Sequence, residues 1–566
     1  MPITPYLSRT RIAYFTMEIA LRAEMHTYAG GLGVLAGDTA RSAADLALPV
    51  VFVSLVSRAG YFRQTIDAEG RQQEQPDWWS PEDWCQPLEA MVAVTIERRR
   101  VWVRPWLYVQ ASAESGHSVP VLLLDTDLDQ NSDEDRRITH DLYGGDAGYR
   151  LKQEAVLGIG GVRLLHALGF DIRTYHLNEG HAALLALELL ARTRPPAEDE
   201  NPQPPCDVAA VRERCAFTTH TPVEAAQDRF DHGLFEHLLP DLATPQDLRA
   251  LAGDEGVNMT RLALALAGWV NGVSVRHART TQQRYPGRHI HAITNGVHVG
   301  TWTHPAFAAL YQAHWPHWRF EPELLARAGQ LPDEALWRCH LAAKGELIDR
   351  VRRVGGRSLD PELPIVVIAR RMTGYKRPLL LFSDPQRLAA IAREHPFQLI
   401  VAGKAHPHDD SGKEAIRALH RQLQELPPGV QALFLPNHDL DLAKALVCGA
   451  DIWLNTPLPP MEASGTSGMK AALNGVLNVS VLDGWWLEAC QHGVNGWAIG
   501  GDGDGRPPGE GDADALYRLL GEEVLPAYAN DRSRWRAMMK EGLRSIASYF
   551  NSQRMMRRYA SEVYLR

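Results

Sequence analysis

Residues Pro364–Arg377 read PIVVIARRMTGYKR. The first six are almost wholly apolar, as expected of a parallel strand covered on both faces. The next eight carry four cations: Arg370, Arg371, Lys376 and Arg377. A charged turn of this kind is either a solvated basic loop or a set of anion ligands at the carboxyl end of a buried strand. Arg grips phosphate oxygens in a fork and Lys acts as a point charge, so the second reading gives a phosphate pocket. Working outward, Phe397–Ala402, Val430–Leu435, Ile452–Asn455 and Leu477–Leu482 repeat the apolar run at spacings that leave room for crossover helices. That pattern predicts an α/β fold with a doubly wound sheet, whose ligands gather at the carboxyl ends of the strands.

A second alternating region precedes it. Strands are predicted at Ile12–Phe15, Val50–Val56, Val101–Val109, Val119–Leu124, Arg173–His176, Cys215–Thr219 and His291–Val297, with helices at Lys152–Leu168 and Ala182–Ala191. The charged helical stretch between Glu321 and Leu359 is the expected boundary. The expected units are an α/β domain over 1–330, a Rossmann-like domain over 331–530, and C-terminal helices over 531–566 that pack back on the first. Arg194–Cys206 and Gly500–Asp514 read as polar surface loops rich in proline or glycine; the second lacks the spacing of a calcium loop.

At 566 residues the chain exceeds what one core supports. A formal charge of −9, with 45% hydrophobic and 22% charged residues, describes an ordinary globular chain and argues against a general nucleic-acid binder. No apolar run spans a bilayer, and MPITPYLSRTR lacks the apolar core of a secretion signal. The six cysteines lie far apart without a CxxC pair, so a cytoplasmic chain with free thiols and no zinc is expected. His406 and His408 beside Asp409 and Asp410 form the nearest approach to a metal set, and nothing nearby completes it.

The segment Met461–Glu488, MEASGTSGMKAALNGVLNVSVLDGWWLE, sets Glu462 beside a run of small residues and places Lys470 just inside a helix. The lysine is either an ordinary exposed residue or an amine beside an anion site, able to bond a phosphorylated aldehyde. In the first region, Ala29–Asp38 (AGGLGVLAGD) is a glycine-rich turn running into a helix, without a P-loop lysine. HLNEGHAA, FTTHTPVEA and ITNGVHVGTW each put polar groups at a strand end: Asn178, Glu179, His181, His220, Asn295 and His298. Each reads alone as a helix cap or a satisfied core residue; three such motifs at strand ends point to a shared cleft for hydroxyl-rich ligands.

Together YFTMEIAL, YAGGLGVLAGD, HLNEGHAA, THTPVEA, TNGVHVGTW, ARRMTGYKR, VAGKA and EASGTSGMKAALNG resemble the α-glucan phosphorylases, in the family's order from Tyr14 to Trp497 and closest to the short bacterial branch. The resemblance implies a glycosyltransferase-B fold with the site between two domains. It implies reversible phosphorolysis of α-1,4-glucans (glycogen, starch or maltodextrin) by inorganic phosphate to α-glucose 1-phosphate, with retention. It also implies pyridoxal 5′-phosphate (PLP) tethered by Lys470, with the cofactor's phosphate serving proton transfer. Arg371 and Lys376 match the ligands of the substrate and cofactor phosphates, with Arg370 adjacent. Gly465 and Thr466 match the surround of the cofactor phosphate, Gly30 and Gly31 the turn that meets inorganic phosphate, and Trp302 an aromatic beside the cofactor. Glu462, Asn295 and His220 match glucosyl ligands, and Glu179 and His181 a neighbouring polar pair.

The chain departs from the pattern at His438 and Asp439, where well-studied members carry Tyr–Arg. It begins almost at the first motif, so control through an N-terminal extension is not expected. A homodimer is expected from the family. Two other readings are a nucleotide-sugar-dependent glucan synthase, which has no use for Lys470 in its SGMK setting, and a silent glucan-binding protein, which His438 and Asp439 keep open.

Overall fold

The computed structural model describes residues 2–193, 207–223, 227–240, 242–426, 430–501, 507 and 509–565. The proline-rich stretch Arg194–Cys206 and part of Gly500–Asp514 lie outside them. Two sheets dominate. Across the first, the order is His291–Ala292, Trp269–Gly272, Cys215–Thr218, Thr174–Asn178, Ile12–Phe15, Val50–Leu55, Ser118–Asp125, Arg99–Ala111 and Gln86–Pro87, with Val92–Ile96 also on Arg99–Ala111. The strands are parallel up to Ser118–Asp125 and antiparallel beyond. IAYF and VVFVSL are buried throughout, which is why they read as unbroken apolar runs. The first helix that matters to the site, α1 (Gly31–Asp45), follows the glycine-rich turn.

The second sheet is wholly parallel, in the order Gln431–Leu435, Gln398–Ala402, Ile365–Ala369, Ile452–Asn455, Leu477–Val481 and Gly496–Ile499. Helix α2 (Asp333–Gly355) runs through the charged stretch between the two regions and is pinned to this sheet by a buried triad. Asp451 accepts from Lys344 Nζ at 2.9 Å and pairs with His340 Nε2 at 2.7 Å. Burial pushes the Asp451 carboxyl up, but Lys344 and His340 outweigh it and hold it at about 2. Helix α3 (Leu440–Gly449) follows Gln431–Leu435, and the short helix α4 (Ser467–Ala472) carries Lys470. Mixed α/β architecture with two such sheets is the glycosyltransferase-B fold expected from the motifs.

Several elements differ from the sequence expectation. His291–Val297 forms a strand only over His291–Ala292, because its end leaves the sheet and Val297 N–H donates instead to the Phe550 carbonyl at 3.1 Å. Two hairpin strands, Arg63–Ile66 and Gln72–Gln75, were not predicted; their polar side chains reach across to the second sheet instead of into a core. Gln64 Nε2 donates to the Gly403 carbonyl at 2.9 Å, and Asn437 N–H donates to Gln64 Oε1 at 2.8 Å. Within the glycine-rich loop, Asp512 is buried and pairs with Arg377 rather than standing in solvent.

The C-terminal helix α5 (Ser552–Tyr559) packs on α1. Met555, Met556, Tyr559 and Tyr564 share one apolar cluster with Leu35, Ala36, Ala40 and Val50. Ser42 Oγ and Ser552 Oγ lie 2.6 Å apart, and His176 Nδ1 meets the Tyr564 hydroxyl at 2.6 Å. Gly296 permits this packing: a Cβ there would stand 2.1 Å from the Asn551 carbonyl. Because α1 begins at the glycine-rich turn, this cluster fixes where that turn stands. Met556→Ala should cost about 2–5 kcal/mol in chemical denaturation; a loss below about 0.5 kcal/mol would show that α5 does not hold α1.

Candidate functional site

The carboxyl ends of both sheets meet in one cleft, and the predicted residues converge on it from opposite sides. Lys470 lies on α4 with 7% of its surface exposed, its amine 4.0 Å from the centre of the Trp302 indole. Asn474, one turn on, donates to the carbonyls of Lys470 at 3.0 Å and Trp302 at 2.9 Å, tying lysine and indole together. Burial pushes the lysine down to about 8; Asp38 opposes that effect and Arg41 adds to it. Among the described residues its amine makes no ion pair within 4 Å. The indole N–H of Trp302 donates to both oxygens of Asp38, at 3.0 and 2.9 Å.

The four cations of RRMTGYKR divide by direction. Arg370 is buried and spent on the chain: it donates to the Leu454 carbonyl at 2.7 Å, to Asn455 and to the Lys376 carbonyl at 3.2 Å. Arg377 clamps the carbonyls of Thr456 and Pro457, at 2.9 and 2.7 Å, and Asp512. Lys376 pairs with Glu462. Arg371 is exposed, and the groups that act on its charge are Tyr375, Tyr61 and Glu18. Two of the four therefore build the turn and two face the cleft.

Glu462 is held from behind: its N–H donates to Asp483 at 2.8 Å, and Gly484 N–H donates to the same carboxyl at 2.9 Å. Burial raises Asp483 to about 6, with Glu462 adding to the rise. Gly465 takes a left-handed φ of +67°, and a Cβ there would come within 3.2 Å of Glu462. Thr466 precedes α4 as its N-cap, without a side-chain capping bond.

On the opposite wall Gly30 and Gly31 face open space, with no atom within 4 Å of a Cβ at either. The N–H groups of Ala29 and Gly30 already donate to Glu18, at 2.6 and 3.1 Å. Gly33 leaves room for that carboxylate, since a Cβ there would lie 2.5 Å from it. Tyr143 donates to the other Glu18 oxygen at 3.0 Å, and the Arg150 guanidinium stacks 4.2 Å from the Tyr143 ring. Arg150 pairs with Asp228 at 3.1 Å, and His181 pairs with the same carboxylate at 3.2 Å. HLNEGHAA and the glycine turn are thus ends of one polar chain. Sequence reading missed Glu18, Asp38, Tyr143 and Asp228; Glu18 lies inside a quoted motif, but no spacing marks it as a partner of the turn.

Glu179 works within the chain. It has φ +72°, and its carboxylate accepts from Gly180 N–H at 3.0 Å, His220 N–H at 2.7 Å and the Thr221 hydroxyl at 2.9 Å. His220 Nε2 lies 2.7 Å from Asn178 Oδ1, and burial drives its pKa down to about 3, so the ring is neutral. Asn295 is buried with its Oδ1 unpartnered. Unpartnered buried atoms recur around the cleft: Ser464 Oγ, Thr373 Oγ1, His181 Nδ1 and His438 Nε2. Each of these atoms keeps unused hydrogen-bonding capacity.

At the two departures, Asp439 caps α3 by accepting from Leu442 N–H at 2.8 Å. Burial holds the His438 ring at about 4, neutral, with Lys404 and Lys470 lowering it further. Asp409 likewise caps a helix, at Gly412 N–H, and among the described residues no three His, Cys, Asp or Glu groups converge as metal ligands. His298 is committed to Asp45, which it meets at 2.9 Å.

Two α/β units, one with a wholly parallel sheet and one with a mainly parallel sheet, and with these residues at their strand ends, define the glycosyltransferase-B class. The model of the carbohydrate phosphorylase family matches residues 244–495. The chain is 38% identical to the maltodextrin phosphorylase of Thermococcus litoralis, over 98% of this chain and 70% of that one. It is 36% identical to the glycogen phosphorylase of Mycobacterium tuberculosis, over 98% and 71%. An uncharacterized protein of Methanocaldococcus jannaschii is 31% identical over 98% and 99%. The chain belongs to the carbohydrate phosphorylase family.

Glu179→Ala should lower stability by about 2–4 kcal/mol, because three donors lose a charged acceptor. Urea denaturation measures it. An unchanged midpoint would mean that the carboxylate is free to bind ligand instead.

Proposed function

We propose that the chain catalyses reversible phosphorolysis of α-1,4-glucans to α-glucose 1-phosphate with retention of configuration, using PLP tethered to Lys470. The observation that carries this reading is Lys470 itself: a buried amine with its pKa lowered to about 8, lying on an indole and without an ion-pair partner among the described residues. Such an amine is nucleophilic near neutral pH. The residues present fit the cofactor: a depressed lysine, a small-residue turn at Gly465–Gly468, and an unpartnered Ser464 hydroxyl and His438 nitrogen beside them.

When bound, PLP supplies a phosphate group able to pass a proton toward the leaving glycosidic oxygen. The chain supplies the rest. Arg371 and Lys376 hold two phosphate groups close together, offsetting their repulsion in a site where charges are poorly screened. The turn at Gly30–Gly31 admits the substrate phosphate, because no side chain fills the space before it. Glu462, Asn295 and His220 orient the glucosyl ring through its hydroxyls, and His181 lies beside them. His220 does so as a neutral imidazole. Glu462 pairs with Lys376, so phosphate binding shares that lysine and leaves the carboxylate free for a sugar hydroxyl. Arg370 and Glu179 serve by holding the loops that carry these groups.

Clustered cations explain the chemistry better than a pair of catalytic carboxylates. Asp483, the other acidic group at this turn, is committed to the backbone N–H groups of Glu462 and Gly484. The work divides among units at 1–330, 331–530 and 531–566, with the glucan lying between the first two.

The purified chain is expected to carry about one PLP and to release glucose 1-phosphate from maltooligosaccharides only when phosphate is present. Lys470→Ala should abolish both the cofactor absorbance and the activity. Glucose 1-phosphate release that survives this substitution would contradict the reading. Grading the maltooligosaccharides by length, with glycogen alongside, identifies the preferred glucan.

A further inference from the structure

Asp38 is a buried carboxylate on α1 to which the motifs assign no role. Its relative exposure is 1%. Both of its oxygens accept from the Trp302 indole N–H, and Arg41 lies 3.8 Å away, one helical turn on. Arg41 is itself committed to the Ala20 and Leu21 carbonyls, at 3.1 and 2.6 Å, so it only partly neutralises Asp38. The face of the same indole carries the Lys470 amine at 4.0 Å. Asp38, Trp302 and Lys470 therefore form a stack from one wall of the cleft to the other.

We propose that Asp38 is a positioning residue for Lys470: it fixes the Trp302 indole beneath the lysine amine and supplies the counter-charge that holds that amine in the cleft. The inference rests on the reading of Lys470 as the cofactor tether. Its geometry also links the two phosphate sites. Helix α1 begins at Gly31, in the turn that admits the substrate phosphate, and Asp38 stands two turns along it, about 10 Å away. One rigid helix thus sets the distance between that turn and the lysine. The cap and the anchor of this ruler are both visible: Glu18 at its start and the α5 cluster along its side.

The charged and titratable groups that act on the Lys470 amine are Asp38 and Arg41 from α1 and His438 ahead of α3. Burial and Arg41 favour the free amine; Asp38 favours the ammonium; His438 is neutral above about pH 4. Removing the charge of Asp38 while keeping its shape therefore leaves more free amine at low pH. A purely structural role predicts the reverse, slower cofactor capture at every pH.

The test follows uptake of added PLP by the cofactor-stripped full-length chain, by absorbance, from pH 5.5 to 9. Asp38→Asn should move the midpoint of the rate profile down by about one pH unit, making uptake at pH 6 about tenfold faster. Asp38→Glu should keep the wild-type midpoint. Trp302→Phe, which removes both the indole face under the ammonium and the donor that stabilises the Asp38 charge, should also move the midpoint down, and it serves if Asp38→Asn does not fold. An Asp38→Asn profile that is slower throughout with an unmoved midpoint, or a Trp302→Phe profile unmoved, overturns the proposal. If the wild-type chain takes up no PLP, the tether reading fails. The same midpoints are then read from the pH dependence of Lys470 acetylation by mass spectrometry, with the same shifts expected and the same null result decisive.

Discussion

An amine held out of water against an indole is the interaction on which this site turns. A buried lysine is costly as an ammonium, and the chain meets that cost partly by shifting Lys470 toward its neutral form and partly by the distant charge of Asp38. Neither device works without placement. Lys470 is placed by α4, whose Asn474 is bonded back to Trp302; Trp302 is placed by Asp38; and Asp38 is placed by α1 packing under α5. The C-terminal helix, which also holds the Thr294 and Asn295 carbonyls through Arg554 at 2.8 and 3.0 Å, therefore contributes to the placement of these groups. Its loss would act first through geometry.

The two walls of the cleft are joined by a modest number of directed contacts. Gln64 bonds both Gly403 and Asn437, Lys404 Nζ donates to the Phe62 carbonyl at 2.8 Å, and Thr294 donates to Glu488 at 2.8 Å. Asn437 sits in a left-handed conformation (φ +55°) immediately before His438. The hairpin that carries Gln64 thus sets the loop in which this chain departs from the Tyr–Arg pattern. Asp439 has a local duty as the cap of α3, which accounts for an acidic residue at that position. Arg371 and Lys376 are the cations of RRMTGYKR that are not spent on bracing the turn.

Much of the architecture was legible in the sequence because burial on both faces removes polar residues from parallel strands. IVVIA, QLIVA and LNVSV could be read directly, and the helices between them followed from spacing. The polar hairpin strands RQTI and QQEQ could not, since their order comes from hydrogen bonds to residues more than 300 positions away. His291–Val297 looked like a full strand for the opposite reason: its apolar residues are buried, but its end leaves the sheet. At the site, Lys470 stood out because a distinctive motif surrounds it. Arg370 and Arg371 are adjacent and chemically identical, so only the structure shows that one is buried bracing the turn while the other is exposed. Asp38 and Glu18 were illegible as partners: Trp302 lies 264 residues from Asp38, and Glu18 meets its glycine turn through backbone N–H groups that no side-chain pattern records. The signal available was Asp38 at the end of the apolar run GLGVLAG, with Arg41 one turn further on.

The proposed tether, Lys470, is open to a chemical test. Borohydride reduction of the purified protein followed by peptide mass mapping tests it most directly. The account predicts a pyridoxyl phosphate adduct on the peptide containing Lys470 and on no other. An adduct on Lys404 or Lys376, or none on any lysine of a chain that releases glucose 1-phosphate, would contradict it.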